Sequence, residues 1–166
     1  LMAEISLQIA DRNDTTGFTR TDLRYVCEDV IVEVAEFARG RGQHLQAELS
    51  SVSVLGREHL LAVAVRNLVH NACNHSPLQS PVIVRCKSHN GRAVIEVEDC
   101  GPGFPPEIRG EVTNSKSIAL AARVSRTGVA GGLGLGLRLS AAVFRRHRAT
   151  MIPVDRRPGP GTIFRV

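Results

Sequence analysis

Apolar positions recur at helical spacing in two long stretches of the chain. Val26, Val30, Val34 and Phe37 fall on one face of a helix that Thr21 or Asp22 can cap and that Gly40 and Gly42 end, near Arg41. Leu61, Val65, Leu68 and Ala72 form a second stripe, on a helix predicted from about Arg57 to Pro77. Period-two alternation marks Val82 to Lys87 and Ala93 to Glu98 as strands. Between them Asn90-Gly91 supplies the two positive-φ residues of a tight hairpin. His44 to Leu49 and Ser51 to Leu55 read as short strands, Leu135 to Arg146 as a third helix. A closing strand pair flanks Pro158-Gly159-Pro160-Gly161. Helices interleaved with strands and an antiparallel hairpin predict an α/β sandwich with the helices on one face.

Leu1 to Asn13 carry Ile5 and Ile9 one helical turn apart and break at Asn13-Asp14-Thr15-Thr16-Gly17. This reads as the tail of an upstream helix followed by a linker. Pro105 to Val129 lacks clear periodicity and is expected to form a mobile loop. No internal repeat is visible.

Composition narrows the class. The 166 residues include 43% apolar and 22% charged, enough for one domain with a real core and against a disordered chain. No apolar run approaches the roughly 20 residues that cross a bilayer, and no signal peptide is recognisable, so a soluble domain is expected. A formal charge of +5 favours an anionic partner. No aromatic residues interleave the basic ones as single-strand binders require, so nucleic acid is not the expected partner. Cys27, Cys73, Cys86 and Cys100 form no C-x-x-C pair, which suits a reducing compartment. His70, Cys73 and His75 lie at i, i+3 and i+5 on a helix and do not converge as metal ligands need to.

Three segments carry candidate chemistry. Asn67 and Asn71, at i and i+4 with Asn74 and His75 one turn on, lie on a flank about a quarter-turn from the apolar stripe. Their amide oxygens suit a Mg²⁺ that shares phosphate oxygens, although for two asparagines alone a solvated polar flank is the better account. Asp99-Cys100-Gly101-Pro102-Gly103 follows a strand directly; its glycines let backbone approach a ligand, and the Asp99 carboxylate can accept from an amino group. Gly131 to Leu137 alternates glycine with leucine and runs into a helix, where free N–H groups and the helix dipole favour phosphate. It is neither a Walker A loop nor a Rossmann fingerprint.

Together and in this order, the segments resemble the N, G1 and G2 boxes of the ATP-binding domain of bacterial sensor histidine kinases, within the gyrase, Hsp90, histidine kinase and MutL superfamily. Asn67-Leu68-Val69-His70-Asn71-Ala72-Cys73-Asn74-His75-Ser76-Pro77 is similar to the N box, Asp99-Cys100-Gly101-Pro102-Gly103 to G1 and Gly132-Leu133-Gly134-Leu135-Gly136-Leu137 to G2. Gly161-Thr162 matches the closing strand, and the likeness spans about Thr19 to Val166.

The resemblance implies a two-layer sandwich of about three helices on a mixed five-stranded sheet, the Bergerat ATP-binding fold. Residues 1–18 are then the tail of an upstream dimerisation region and linker, and residues 19–166 the catalytic domain. It implies ATP and Mg²⁺ as ligands, with Asn71 on the metal and Asn67 supporting it or touching phosphate. Asp99 would bond the adenine amino group, with Gly101, Gly103, Asn74, His75 and Thr162 around the nucleotide. Gly132, Leu133, Gly134, Leu135, Gly136 and Leu137 would present amides to phosphate. Asn74 stands where many relatives carry Lys or Arg, so phosphate-facing charge is expected from Lys116, Arg123 or Arg126. Ser117-Ile118-Ala119-Leu120-Ala121-Ala122 stands in place of the Phe pair of the usual F box. Hydrolysing relatives place Glu four residues before the metal-binding Asn; Asn67 cannot act as a general base, which favours transfer over hydrolysis.

The implied activity is therefore a protein histidine kinase passing the γ-phosphoryl group of Mg-ATP to a His on a separate dimerisation domain, with a response regulator downstream. The alternatives are a serine-phosphorylating relative and a nucleotide-binding domain of degraded activity. The parent protein is expected to be a homodimer anchored in the bacterial inner membrane with this domain in the cytoplasm, and the isolated chain a monomer.

Overall fold

The sheet is built outward from the hairpin that Asn90-Gly91 closes. The computed structural model describes residues 15–104 and 133–166, and side chains within the latter range from residue 136 onward. β4 (Pro81–His89) and β5 (Arg92–Glu98) pair antiparallel with His89 opposite Arg92. Asn90 and Gly91 take φ of 50° and 73°, the left-handed region that this turn demands. β7 (Thr162–Arg165) lies antiparallel on β5, β6 (Ile152–Asp155) antiparallel on β7, and β2 (His44–Leu49) parallel on β4. The five-stranded sheet is thus mixed, in the order β2-β4-β5-β7-β6.

The helices are α1 (Leu23–Gly40), α2 (Glu58–His75) and α3 (Leu133–Arg146), and α2 packs against both others. Asp22 is the N-cap of α1, as its sequence position suggests: Oδ1 accepts from the Arg24 amide at 3.0 Å and the Val52 amide at 3.1 Å, and Oδ2 accepts from the Ser51 hydroxyl. The stripe of α2 is as predicted, with Leu61, Val65, Leu68 and Ala72 all buried. That of α1 differs at one end. Phe37 is 38% exposed and tilts against His70 at 4.8 Å, while Ala38, i+4 from Val34, takes the core position. An i+4 step keeps the line that an i+3 step to Phe37 leaves.

Asp22 also ends an unanticipated strand, β1 (Thr19–Asp22), paired antiparallel with β3 (Ser53–Gly56) in a separate two-stranded ribbon. The boundary of β3 is two residues later than the alternation suggested. The helix-free face of the main sheet is charged. Glu98 accepts from Arg85 at 2.6 Å and Arg156 at 2.7 Å; Glu96 accepts from Arg165 at 2.6 Å and Lys87 at 3.2 Å. Ile95 and Val97 point the other way, into the core. No described helix is long and apolar enough to cross a membrane.

Candidate functional site

Glu98 ends β5, and the chain leaves the sheet at Asp99, buried at 3% exposure beneath the C-terminal end of α2. Asp99 Oδ1 accepts from the Gly101 amide at 2.8 Å and the Thr162 amide at 3.1 Å. Among the described residues no donor reaches Oδ2. Burial holds the carboxyl above its ordinary value, against the two amides and the nearby His75, which pull it down. A buried carboxylate with one oxygen committed and one unclaimed suits an incoming N–H donor.

The loop around it is fitted closely. A Cβ on Gly101 would lie 2.8 Å from the His75 carbonyl oxygen and 3.0 Å from Asp99 Oδ1, so only glycine allows the loop to lie against α2. Gly103 has φ of 91°. A Cβ on Gly161 would lie 2.1 Å from the Asp99 carbonyl oxygen. Thr162 is itself buried, and it reaches the site through its amide bond to Asp99.

The end of α2 is anchored by residues that local sequence pattern did not single out. Gln43 Nε2 donates to the carbonyls of Cys73 at 2.9 Å, Ser76 at 3.2 Å and Pro77 at 3.3 Å. Arg41 Nε donates to the Cys73 carbonyl at 3.0 Å, and the Cys100 amide donates to Ser76 Oγ at 3.1 Å. The Arg41 and Gln43 bonds satisfy carbonyls at and just past the helix end that would otherwise lack partners. No periodicity marks Gln43, because its partners lie about thirty residues away.

The polar flank of α2 faces two ways. Asn67 turns toward α3, with Nδ2 donating to the Gly136 carbonyl at 3.4 Å. Asn71 and His75 are half-buried and Asn74 is exposed. Burial lowers the His75 pKa, with the Asp99 charge opposing it. His70 turns to Phe37 and Cys73 into the core, so these three do not meet; among the described residues no group of three His, Cys, Asp or Glu could hold a metal. A metal here would rest on a neutral amide such as that of Asn71 and on oxygens supplied by its ligand. A half-buried amide on a helix rim fits that demand.

Leu133, Gly134 and Leu135 begin α3, whose first four N–H groups lack helical partners. The Leu137 side chain is buried in the core. Gly132, Lys116, Arg123, Arg126 and the expected mobile loop at 105–129 lie outside the described residues. The structure brings together Asn67, Asn71, His75, Asp99, Gly101 and the start of α3, from three separated stretches of sequence.

Comparison with known proteins bears on the family and the fold. A family described as the histidine kinase-, DNA gyrase B-, and HSP90-like ATPases matches residues 56–166. The sensor protein BasS of Escherichia coli (strain K12) is 33% identical over 118 residues, covering 71% of this chain and 30% of that protein. The sensor protein CutS of Streptomyces coelicolor is 32% identical over 167 residues, covering 100% of this chain and 38% of that one. The chain thus spans about a third of the length of these curated relatives. Among solved structures, the mycobacterial sensor histidine kinase MprB superposes with a TM-score of 0.75 at 24% identity, over 89% of this chain and 94% of that one, a likeness of fold.

Proposed function

The chain belongs to the histidine kinase-, DNA gyrase B- and HSP90-like ATPase family, and from that premise we propose that it binds Mg-ATP and passes the γ-phosphoryl group to a histidine on a separate dimerisation domain. The observation that carries the reading is Asp99: a buried carboxylate, Oδ1 held by two amides, Oδ2 without a donor among the described residues. An adenine amino group supplies the missing N–H. Gly101 lets the base lie close to the backbone, and His75 borders it.

At the other end of the site the unpaired amides and positive dipole end of α3 receive the phosphates. Asn71 offers its amide oxygen to Mg²⁺, which when bound offsets phosphate charge. Asn67, bonded to Gly136 across the α2–α3 contact, fixes the flank and takes no proton. Transfer to an imidazole forms an N–P bond and breaks the bond between the γ-phosphorus and the bridging oxygen, releasing ADP; positioning and charge neutralisation dominate such a step. Residues 1–18 then serve as the tail of the dimerisation region and linker, residues 19–166 as the catalytic domain. The partners are the acceptor domain and a response regulator, and the parent is a homodimer whose kinase part faces the cytoplasm.

The test is titration of the chain with a non-hydrolysable ATP analogue, with and without Mg²⁺, followed by radiolabelled ATP and a supplied acceptor domain. Binding that Mg²⁺ strengthens, with acid-labile label on the acceptor, is the expected result. Acid-stable label points to a serine acceptor, and binding without transfer to a degraded kinase. No binding overturns the proposal.

A further inference from the structure

At the end of α3 away from Gly136, three side chains grip the residues that lead into β1. The Phe18 ring stacks on the His147 imidazole at 4.8 Å with 12° between planes, and the Arg146 guanidinium lies 5.9 Å from the Phe18 centroid. Arg57, at the start of α2, donates from its guanidinium to the Thr16 carbonyl. The imidazole itself is bonded at both nitrogens. Nδ1 lies 2.7 Å from the Val143 carbonyl and so carries the proton; Nε2 accepts from the Arg57 amide at 3.0 Å.

Two glycines make room for this arrangement. A Cβ on Gly56 would lie 2.7 Å from His147 Cδ2, and one on Gly17 would lie 3.2 Å from Arg57 Nε, where φ is also 76°. Arg146 is 3% exposed, a guanidinium enclosed at a point where the chain enters the domain. Residue choice in three segments converges on holding Thr15 to Phe18 in one place.

We propose that His147 is a positioning residue which, through Phe18 and Arg57, pins the arm formed by Thr15 to Phe18 against the end of α3. The same rigid helix, about 20 Å long for its 14 residues, carries Gly136 at the site. The arm and the phosphate end of the site are therefore fixed to one body. The pin holds whether or not the chain transfers phosphate; if it does, the arm's direction decides how bound nucleotide is presented to the acceptor.

Chemistry makes the pin sensitive to protons. A proton on Nε2 turns the acceptor of the Arg57 amide into a donor aimed at it. The new cation also faces the guanidinium of Arg57, at the start of α2, and that of Arg146 on its own helix, while among the described residues the arm brings the Phe18 ring. Burial, with those two charges, already lowers the His147 pKa, so the pin is closed at neutral pH and opens on acidification.

The test measures amide hydrogen exchange at Phe18 and Arg57, corrected for intrinsic rates, and the distance between spin labels at T15C and S88C in a C100S background. His147→Ala at pH 7.5 should lower protection at both amides about tenfold, the size of one lost hydrogen bond, and broaden the distance distribution. Protection at Val65 and Leu68 should stay unchanged. The unsubstituted chain at pH 5 should behave like His147→Ala, and His147→Gln, which keeps an uncharged acceptor, should resist acid. Undiminished protection in His147→Ala, or acid release that persists in His147→Gln, overturns the proposal. If His147→Ala loosens Val65 and Leu68 equally, Phe18→Ala decides: a broadened distance supports the pin and a narrow one refutes it. Nucleotide binding is not read, so failure here is distinct from failure of the kinase assignment.

Discussion

Asp99 and Thr162 hold each other at two points: the Asp99 amide donates to the Thr162 carbonyl at 2.9 Å, and the Thr162 amide donates to Asp99 Oδ1 at 3.1 Å. The carboxylate is thereby fixed to the first residue of β7, and Oδ2, which no donor among the described residues reaches, has one direction to point. Asp99→Asn keeps an oxygen for the two amides and replaces the other with a donor that repels an adenine amino group. Loss of a hydrogen bond to a charged acceptor is worth about 1.5–3 kcal/mol, so calorimetry should show affinity for ATP falling about tenfold or more.

The same substitution has an opposite effect on the empty domain. Burial raises the Asp99 pKa, so the stability linked to this group is fully present below its unfolded value and is lost as pH rises through the folded one. At pH 7 the charge opposes folding. The midpoint of urea unfolding for Asp99→Asn should equal or exceed that of the unsubstituted chain.

Asn71→Ala should leave unfolding nearly unchanged, because the side chain is half-buried on a helix and Ala has the higher helix propensity. In titrations, Mg²⁺ should no longer strengthen nucleotide binding, while binding without metal persists through Asp99. Transfer to a supplied acceptor should be abolished. A parental transfer rate in this variant removes Asn71 from the metal.

Two glycine substitutions should part company. Gly101→Ala drives a methyl to 2.8 Å from the His75 carbonyl oxygen, an overpacking that costs about 1–3 kcal/mol and displaces the loop that follows Asp99. Gly40→Ala meets nothing within 4 Å at the end of α1 and should stabilise by about 0.4–1 kcal/mol. Thermal unfolding of both variants reads the difference directly.

Stability should fall in two stages as pH drops. Burial lowers the pKa values of His70, His75 and His147, so their contribution is complete above the unfolded value near 6.5 and is lost as pH falls through the folded values. The second stage belongs to Glu96 and Glu98. Burial pushes both up, but the bonds from Arg165 and Lys87, and from Arg85 and Arg156, outweigh it and hold both below their usual 4.5. Their contribution is present above that value and lost on further acidification. Urea midpoints from pH 8 to pH 3 should show both stages, and His147→Gln should reduce only the upper one.

The elements that were legible are those whose signal is local. The stripe of α2, the Asn90-Gly91 turn and the alternation of β4 and β5 each reside within a few residues. β1 was missed because Thr19-Arg20-Thr21-Asp22 has no apolar alternation; it is a strand because β3, more than thirty positions on, pairs with it. For the site, the motif residues Asp99 and Gly101 were readable from their order along the chain. Gln43 and Arg41 were not, since a helix C-terminus advertises its unpaired carbonyls only once the chain has brought donors to them. Phe18 and His147 are likewise joined only by the fold.

The ion pairs on the far side of the sheet also determine where Asp99 points. Successive residues of a strand face opposite ways, so a slip of β5 by one position would push Glu96 and Glu98 into the apolar layer and turn Ile95 and Val97 to water. Arg85, Lys87, Arg156 and Arg165 act as an alignment code against that error, read on the surface opposite the helices. Asp99 directly follows Glu98, and its facing is inherited from that code. A domain with the ladder erased could keep its helices, its sheet and its glycines and, under the proposed function, still be blind to adenine, the Asp99 carboxylate turned to the wrong side of the sheet.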